Sequence, residues 1–358
     1  MNLDIIMYFC GVHTSHIQKY LKLKSVLSKR FNTLLLLGDG KWGCSKELLS
    51  NYSHLEGFDQ TLHVNPRQAI QILQNADYKL GIFGSTTGRK NLIGNADIAA
   101  CKGLSIQLSE IGADFIYSGA DYTSLISKEI EIMFEGYKHY GSANNFLFSN
   151  CYLWDRVSPK THLEDRRLFF EKYNLDKNKP FFIWTPDAIQ CHSRPGPQKA
   201  YEKACEVENI IVKMHPNELR RHKAERFNNK WSYELFTSKK VRLLDPQDTH
   251  YAYEYMDAMI GYQSTTGGWE MPFYKKPSIY LDVDCKDNLL FNEFSKKCYN
   301  KRFEYVGIDC KSEDLLDVIS EKKYQKTFDY QSYLNKFLDY PDVSSYEVIL
   351  SQVSEILS

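Results

Sequence analysis

Three things are scarce in these 358 residues: a net charge, a cysteine pattern and a long apolar run. Lys+Arg and Asp+Glu both number 45, so no single-sign field draws the chain to nucleic acid or to an anionic membrane. The nine cysteines scatter from Cys10 to Cys310 without a Cys-x-x-Cys pair. That excludes a disulfide frame or a zinc knuckle and points to reduced thiols in the cytoplasm. No apolar stretch approaches bilayer-spanning length, so any association with the inner membrane would be peripheral. The opening residues, Met1 to Phe9, lack a basic region and a cleavage site and read as a first strand. A Gly-x-x-x-x-Gly-Lys-Ser/Thr loop is also missing, so any phosphate must be held without a Walker lysine.

What is present is ordinary globular composition, 43% hydrophobic and 25% charged, in a chain long enough for two cores. The 25 Tyr and 20 Phe suit stacking on sugars or bases, and equally an AT-rich coding sequence. Short apolar runs alternate with helical periodicity: strands at Leu3 to Phe9, Thr33 to Leu37 and Lys79 to Phe83, helices at Ile17 to Ser28 and Arg67 to Asn75. Such alternation predicts a doubly wound parallel sheet. A helix is expected at Tyr122 to Phe134 and a strand with its exit loop at Asn145 to Val157. The turn-rich Asp176 to Pro180 reads as a solvated hinge, dividing a first domain at 1–175 from a second at 176–340. An amphipathic helix closes the chain within 341–358 and is expected to pack back on the first domain.

The densest pattern lies between Asn209 and Leu281. One apolar run ends in Val212-Lys-Met-His215-Pro216, another in Gly261-Tyr-Gln-Ser264-Thr265-Thr266-Gly267-Gly268, and Lys276-Pro277 opens a third. In a parallel sheet the strand carboxyl ends line one crevice, where ligands bind. The Ser-Thr-Thr-Gly-Gly turn leads into an expected helix at Gly268 to Tyr274. Exposed N–H groups, hydroxyl donors and a helix N-terminus together suit a phosphate. The same Ser-Thr-Thr-Gly run occurs at Ser85 to Gly88, which two related halves would produce and chance in a Ser/Thr-rich loop would too. In the first half, Gln107-Leu-Ser-Glu110-Ile-Gly112 sets an acid just beyond a strand.

Taken in order, these segments resemble those of the CDP-glycerol glycerophosphotransferases and, more loosely, the bacterial polysialyltransferases and capsular Kdo transferases. Phe182-Ile-Trp-Thr185-Pro186 resembles the strand ending in Pro-Thr, Lys213-Met-His215-Pro216 the His-Pro motif, and Ser264-Thr265-Thr266 with Glu270 the hydroxyl motif and its following acid. Phe148 to Val157 stands at the family's Gly-x-Pro-Arg-x-Asp segment with a loose match. The resemblance implies a GT-B fold, two Rossmann-like doubly wound domains facing a central cleft. Glu110 falls where the glycerophosphotransferases carry Trp-His-Gly, and its acid-x-Gly form is closer to the polysialyl and Kdo enzymes.

The expectation is therefore an inverting glycosyltransferase. It would move a sugar from a cytidine-activated (CMP-linked) donor to a surface or capsule polysaccharide or its lipid-linked precursor. A CDP-glycerol or polyol-phosphate transferase, a UDP-sugar transferase or 2-epimerase, and an inert glycan-binding or partner-binding module are the alternatives. Glu110 would deprotonate the acceptor hydroxyl and His215 would stabilise the departing phosphate. Ser264, Thr265, Thr266 and Gly267 would hold the phosphate, where the same residues would equally cap the helix, and Glu270 the ribose. Thr185, Pro186 and Asp245 line the same expected edge, and His13, Ser85 and Thr86 would face the acceptor. No cofactor is expected. Asp282-Val-Asp284 is an Asp-x-Asp of the metal-binding kind, but it follows the phosphate turn in a fold order that needs no metal.

Overall fold

The computed structural model describes residues 2–9, 16–38, 45–84, 98–108, 120–128, 145–153, 155–156, 162–186, 195–214, 242–262, 267–282 and 306–358. The chain divides into two compact units, Met1–Val157 with Asn335–Ser358, and Ser158–Leu334.

The first unit is built on seven parallel strands: β1 (Ile5–Phe9), β2 (Thr33–Gly38), β3 (Thr61–Val64), β4 (Leu80–Gly84), β5 (Leu104–Leu108), β6 (Tyr122–Leu125) and β7 (Asn145–Phe148). Their order is β3-β2-β1-β4-β5-β6-β7. β1 and β2 are buried at every residue, as strands covered on both faces must be. Helix Pro66–Asn75 starts with a capping box between Asn65 and Gln68, with proline at its first turn where no N–H is needed. The six strands of the second unit are β8 (Phe182–Thr185), β9 (Ile210–Val212), β10 (Arg242–Leu243), β11 (Ala258–Tyr262), β12 (Ser278–Asp282) and β13 (Gly307–Lys311). They too are parallel, in the order β10-β9-β8-β11-β12-β13. Trp184, Val212, Ile260 and Ile279 form its core beneath Ala200 and Ala204 of helix Pro195–Cys205, together with Leu315 and Val318. Both units are thus α/β with wholly parallel sheets, the doubly wound arrangement expected from the alternating pattern.

Two expectations give way. The segment from Tyr122 enters a strand, β6, and not a helix. Its Thr123 and Ser124 are buried, and the Ser124 and Ser149 hydroxyls bond to each other between β6 and the end of β7. Hydroxyls satisfied inside the sheet leave no apolar run to signal a strand. The unit boundary falls at Val157 and Ser158, ahead of the Asp176 to Pro180 turn. Helix Arg166–Lys172 belongs to the second unit because Phe169 and Phe170 pack on Phe181, with ring centroids 5.9 and 5.7 Å apart. The turn itself is fastened to the base of β9. Buried Asn209 accepts from the Asp176 N–H at 3.0 Å and donates to the Asp176 and Lys179 carbonyls at 3.0 and 3.2 Å. A segment with the composition of a linker is held by that amide, with Lys179 paired to the neighbouring Glu208.

The C-terminal helix, Ser345–Leu357, packs in the first unit against helix Ile17–Leu27. Asp155 anchors it. Its carboxylate accepts the Ser344 hydroxyl at 2.8 Å and the Ser345 N–H and hydroxyl at 2.7 Å each. The buried Lys19 ammonium donates to the Asp155 carbonyl at 2.5 Å. Among the described residues no helix is long and apolar enough to cross a membrane.

At the amino edge of the first sheet, Asp4 ties three strands together. Its carboxylate accepts the Asn32 N–H at 3.0 Å, just before β2, and the Lys79 ammonium at 2.9 Å, just before β4. The backbone hydrogen bond from Asn32 and then the bond from Lys79 hold its pKa below the ordinary 3.8. A carboxylate with a lowered folded-state pKa contributes stability that is complete above its ordinary value and is lost as the pH falls through the folded value. Urea unfolding of Asp4→Asn is therefore expected to show a deficit at pH 7 that shrinks progressively below about pH 4.

Candidate functional site

In the second sheet the chain starts in the middle at β8, steps to β9 and β10 on one side, then returns to β11 on the other. The strand order reverses between β8 and β11, and the carboxyl edge there is where ligands of open α/β sheets bind. Three of the expected segments leave from this edge. β8 ends at Thr185, followed by buried Pro186. β9 continues one residue further, Lys213 N–H donating to the Trp184 carbonyl at 2.8 Å, and β11 ends at Tyr262.

The side chains placed here divide by task. The Thr185 hydroxyl donates to the Ile260 carbonyl at 3.2 Å, bridging β8 and β11 across the reversal, and the residue is buried. Asp245, beyond β10, caps the turn Pro246–Asp248 by accepting the Gln247 N–H at 3.1 Å. The Asp245 N–H donates to the Tyr173 hydroxyl at 3.1 Å, and that hydroxyl donates to buried Asp248. For both residues the structure assigns a local bonding partner within the fold.

Glu270 is different. It lies in the first turn of helix Gly267–Tyr274, which begins with Gly267, and it is only half-exposed. The helix dipole favours an acid there, but two groups from elsewhere also meet it. Its charge acts on Tyr253, fully buried on helix Thr249–Tyr255, and on the Lys213 ammonium after β9. Enclosure drives the Lys213 pKa down, and the Glu270 charge pulls it back up. Burial, then the neighbouring Glu270 charge, raises the Tyr253 hydroxyl well above its ordinary value, so it remains a donor. Tyr253 is wedged in turn. Its ring meets Tyr274 edge-on at 5.4 Å, and the Tyr274 hydroxyl lies 3.0 Å from His250 Nδ1.

Glu110, His215, Ser264, Thr265, Thr266, His13, Ser85 and Thr86 lie outside the described residues. In sequence they follow β5, β9, β11, β1 and β4 within a few positions. β1, β4 and β5 are neighbours in the first sheet, with its own reversal between β1 and β4. Lys213, Tyr253, Tyr274 and His250 were not singled out from sequence. His250 and Tyr253 share a helical face at i and i+3, which marks them as neighbours but carries no sign of Glu270. Among the described residues there is no group of three or more His, Cys, Asp or Glu able to hold a metal ion.

These paired parallel units constitute the GT-B fold, and solved structures of that fold align with nearly the whole chain. UDP-GlcNAc 2-epimerase from Neisseria meningitidis, bound to UDP-GlcNAc, aligns with a TM-score of 0.63 at 11% identity, covering 98% of this chain and 100% of its own. The S. aureus MnaA–UDP structure aligns at 0.60 with 13% identity, covering 99% and 97%. A variant of the wall teichoic acid polymerase TagF, soaked with CDPG, aligns at 0.55 with 12% identity, covering 99% and 90%. No protein-family model matches the sequence, and no curated protein matches it.

Thr185→Val removes one buried hydrogen bond across the sheet reversal, and a loss of about 1 kcal/mol in urea unfolding is expected.

Proposed function

We propose that the protein is a group transferase using a nucleotide-activated donor, with a cytidine-linked sugar as the favoured donor and a surface glycan or its lipid-linked precursor as the acceptor. The observation that carries this reading is the shared carboxyl edge. β8, β9 and β11 end at one carboxyl edge of one sheet, and the Pro186, His215 and Ser264–Gly267 segments follow those strands in sequence. An imidazole, a hydroxyl-rich turn and a helix N-terminus leaving one edge suit a leaving phosphate. Neighbours of the same fold are described with UDP-GlcNAc, UDP or CDPG, and this supports an activated nucleotide as the ligand class.

In this reading Glu110 takes the proton of the acceptor hydroxyl, which attacks the anomeric carbon of the sugar by direct displacement with inversion. His215 and the Ser264–Gly267 turn stabilise the nucleotide phosphate as its bond to the sugar breaks. The acid-x-Gly form of Glu110-Ile-Gly112 favours a CMP-sugar over CDP-glycerol.

A second reading, a UDP-sugar 2-epimerase, is favoured by the TM-score of 0.63 to an epimerase that binds UDP-GlcNAc. Calorimetric titration of CMP, CDP and UDP separates the two: a transferase of the proposed kind binds CMP most tightly, an epimerase UDP. With the matching donor, Glu110→Ala and His215→Ala are each expected to lower transfer by roughly 10²–10⁴-fold, Glu110→Ala with donor affinity unchanged. Full turnover by Glu110→Ala would overturn its role as base. Binding of a nucleotide with neither hydrolysis nor transfer of any donor would point to an inert binding module.

A further inference from the structure

At the amino edge of the first sheet, a cavity of about 630 Å³ opens between the end of helix Ile17–Leu27 and the turns that lead into β2 and β3. Its walls are fixed. Gly57 lies so close to the helix that a Cβ there would stand 2.2 Å from the Leu21 carbonyl oxygen, and its φ of +88° favours glycine. The Gly57 carbonyl accepts the Thr61 hydroxyl at 3.2 Å, and the Gln60 carbonyl accepts the Leu35 N–H at 3.0 Å, which ties this loop to β2 and β3. Most charges around the cavity have partners. Lys29 pairs with Glu347 at 3.3 Å, Arg30 donates to the Ser354 hydroxyl at 3.3 Å, and Glu56 stands 3.9 Å from Lys22. Lys24 and Ser25 line the cavity from the last turn of the helix and are only 4% and 6% exposed. Among the described residues the Lys24 ammonium has no hydrogen bond and no ion pair; burial lowers its pKa, and the Asp59 charge opposes this without reaching ion-pair distance. The Ser25 hydroxyl is buried without a partner, and Glu56 faces it without closing a hydrogen bond. The helix dipole favours a cation in the last turn, but an exposed lysine would serve that and keep its water.

A buried ammonium and a buried hydroxyl that line one space without partners destabilise the fold unless a ligand meets them. We propose that this cavity is a binding site for a small hydroxylated anion, a sugar phosphate or a sugar acid, whose negative group meets Lys24 and Ser25. The lining decides against a bare inorganic anion. Glu56 and Asp59 border the same cavity, and two carboxylates repel a phosphate held near them. They are also hydrogen-bond acceptors, and a ligand with hydroxyl groups beside its charge supplies them with donors. Its negative group would in turn give the buried ammonium the counter-charge that the fold leaves out. The cavity lies at the opposite edge of the sheet from the strand ends that Glu110 and Ser85 follow in sequence, so the proposal does not rest on the transferase reading.

The test is calorimetric titration of the full chain with glucose 6-phosphate, glucuronate, glucose and inorganic phosphate. At least one of the two sugar anions is expected to bind, and which one does so distinguishes a phosphate from a carboxylate as the anchoring group. Lys24→Met should weaken that binding roughly 10- to 100-fold, the range of one charge-assisted hydrogen bond, and Ser25→Ala severalfold. Lys24→Met should unfold in urea no earlier than the unmodified protein, because it replaces a buried, unpaired charge with an apolar side chain of similar size. Asp59 is exposed, so Asp59→Ala serves as a variant that keeps the fold. It should weaken the sugar anion severalfold while strengthening inorganic phosphate, opposite signs that a damaged fold would not produce. Binding of neither sugar anion, or binding that Lys24→Met leaves whole, would overturn the site. Glucose or inorganic phosphate binding as tightly as the sugar anions would overturn the ligand class, and so would an equal loss of both ligands in Asp59→Ala.

Discussion

Parallel pairing is the constraint from which the rest of this molecule follows. A strand that runs parallel to its neighbour must deliver its carboxyl end to the same edge, and the chain must cross a face of the sheet to start the next strand. In the second unit that rule collects the ends of β8, β9 and β11 side by side, although Thr185, Val212 and Tyr262 are far apart in sequence. The reversal between β8 and β11 then opens the edge at one place, because the crossovers on its two sides leave in opposite directions. No individual side chain decides this. The central strands need only be apolar on both faces, as Phe182, Ile183 and Trp184 are in β8 and Ala258, Met259 and Ile260 in β11.

Around that edge the polar groups are of two kinds, and the distinction matters for what the site can do. Thr185 and Asp245 resolve problems internal to the fold. One bridges the gap between two strands at the reversal, and the other supplies an acceptor to a helical turn whose first N–H groups would otherwise lack one. The Glu270 charge instead acts on groups of two other elements, Lys213 after β9 and Tyr253 of helix Thr249–Tyr255. Buried polar networks are stable only when their members are satisfied, and in return they hold a charged group in one orientation, as at Asp155. Asp155 does this in the first unit, where its carboxylate receives three donors and fixes the start of the C-terminal helix.

How much of this was legible in the sequence depends on whether burial was achieved with apolar or with polar residues. β1, β2, β4, β8 and β11 announce themselves, because each is a continuous run of apolar residues or glycine, interrupted only by a terminal threonine in β2 and β8. β6 does not: Thr123 and Ser124 are buried with partners that only the fold supplies, so its sequence reads as a helical surface. β3, an edge strand with Leu62 exposed, gives four residues of partial alternation and little else. The Asp176 to Pro180 turn has the composition of a linker, yet Asn209 binds it thirty residues away. Composition reports solvation, and here it is silent on the buried amide of Asn209.

The same reasoning explains why Glu270 was legible and the groups its charge acts on were not. An acid in the first turn after a hydroxyl-rich bend is a local pattern, read within a few residues. Lys213 and Tyr253 sit 57 and 17 positions earlier, and nothing in their neighbourhoods distinguishes them from a strand lysine and a core tyrosine. Their relation to Glu270 exists only because β9 and β11 flank β8 and because helix Thr249–Tyr255 leads directly into β11. A local motif can therefore name a candidate residue, whereas the side chains brought around it are set by strand order.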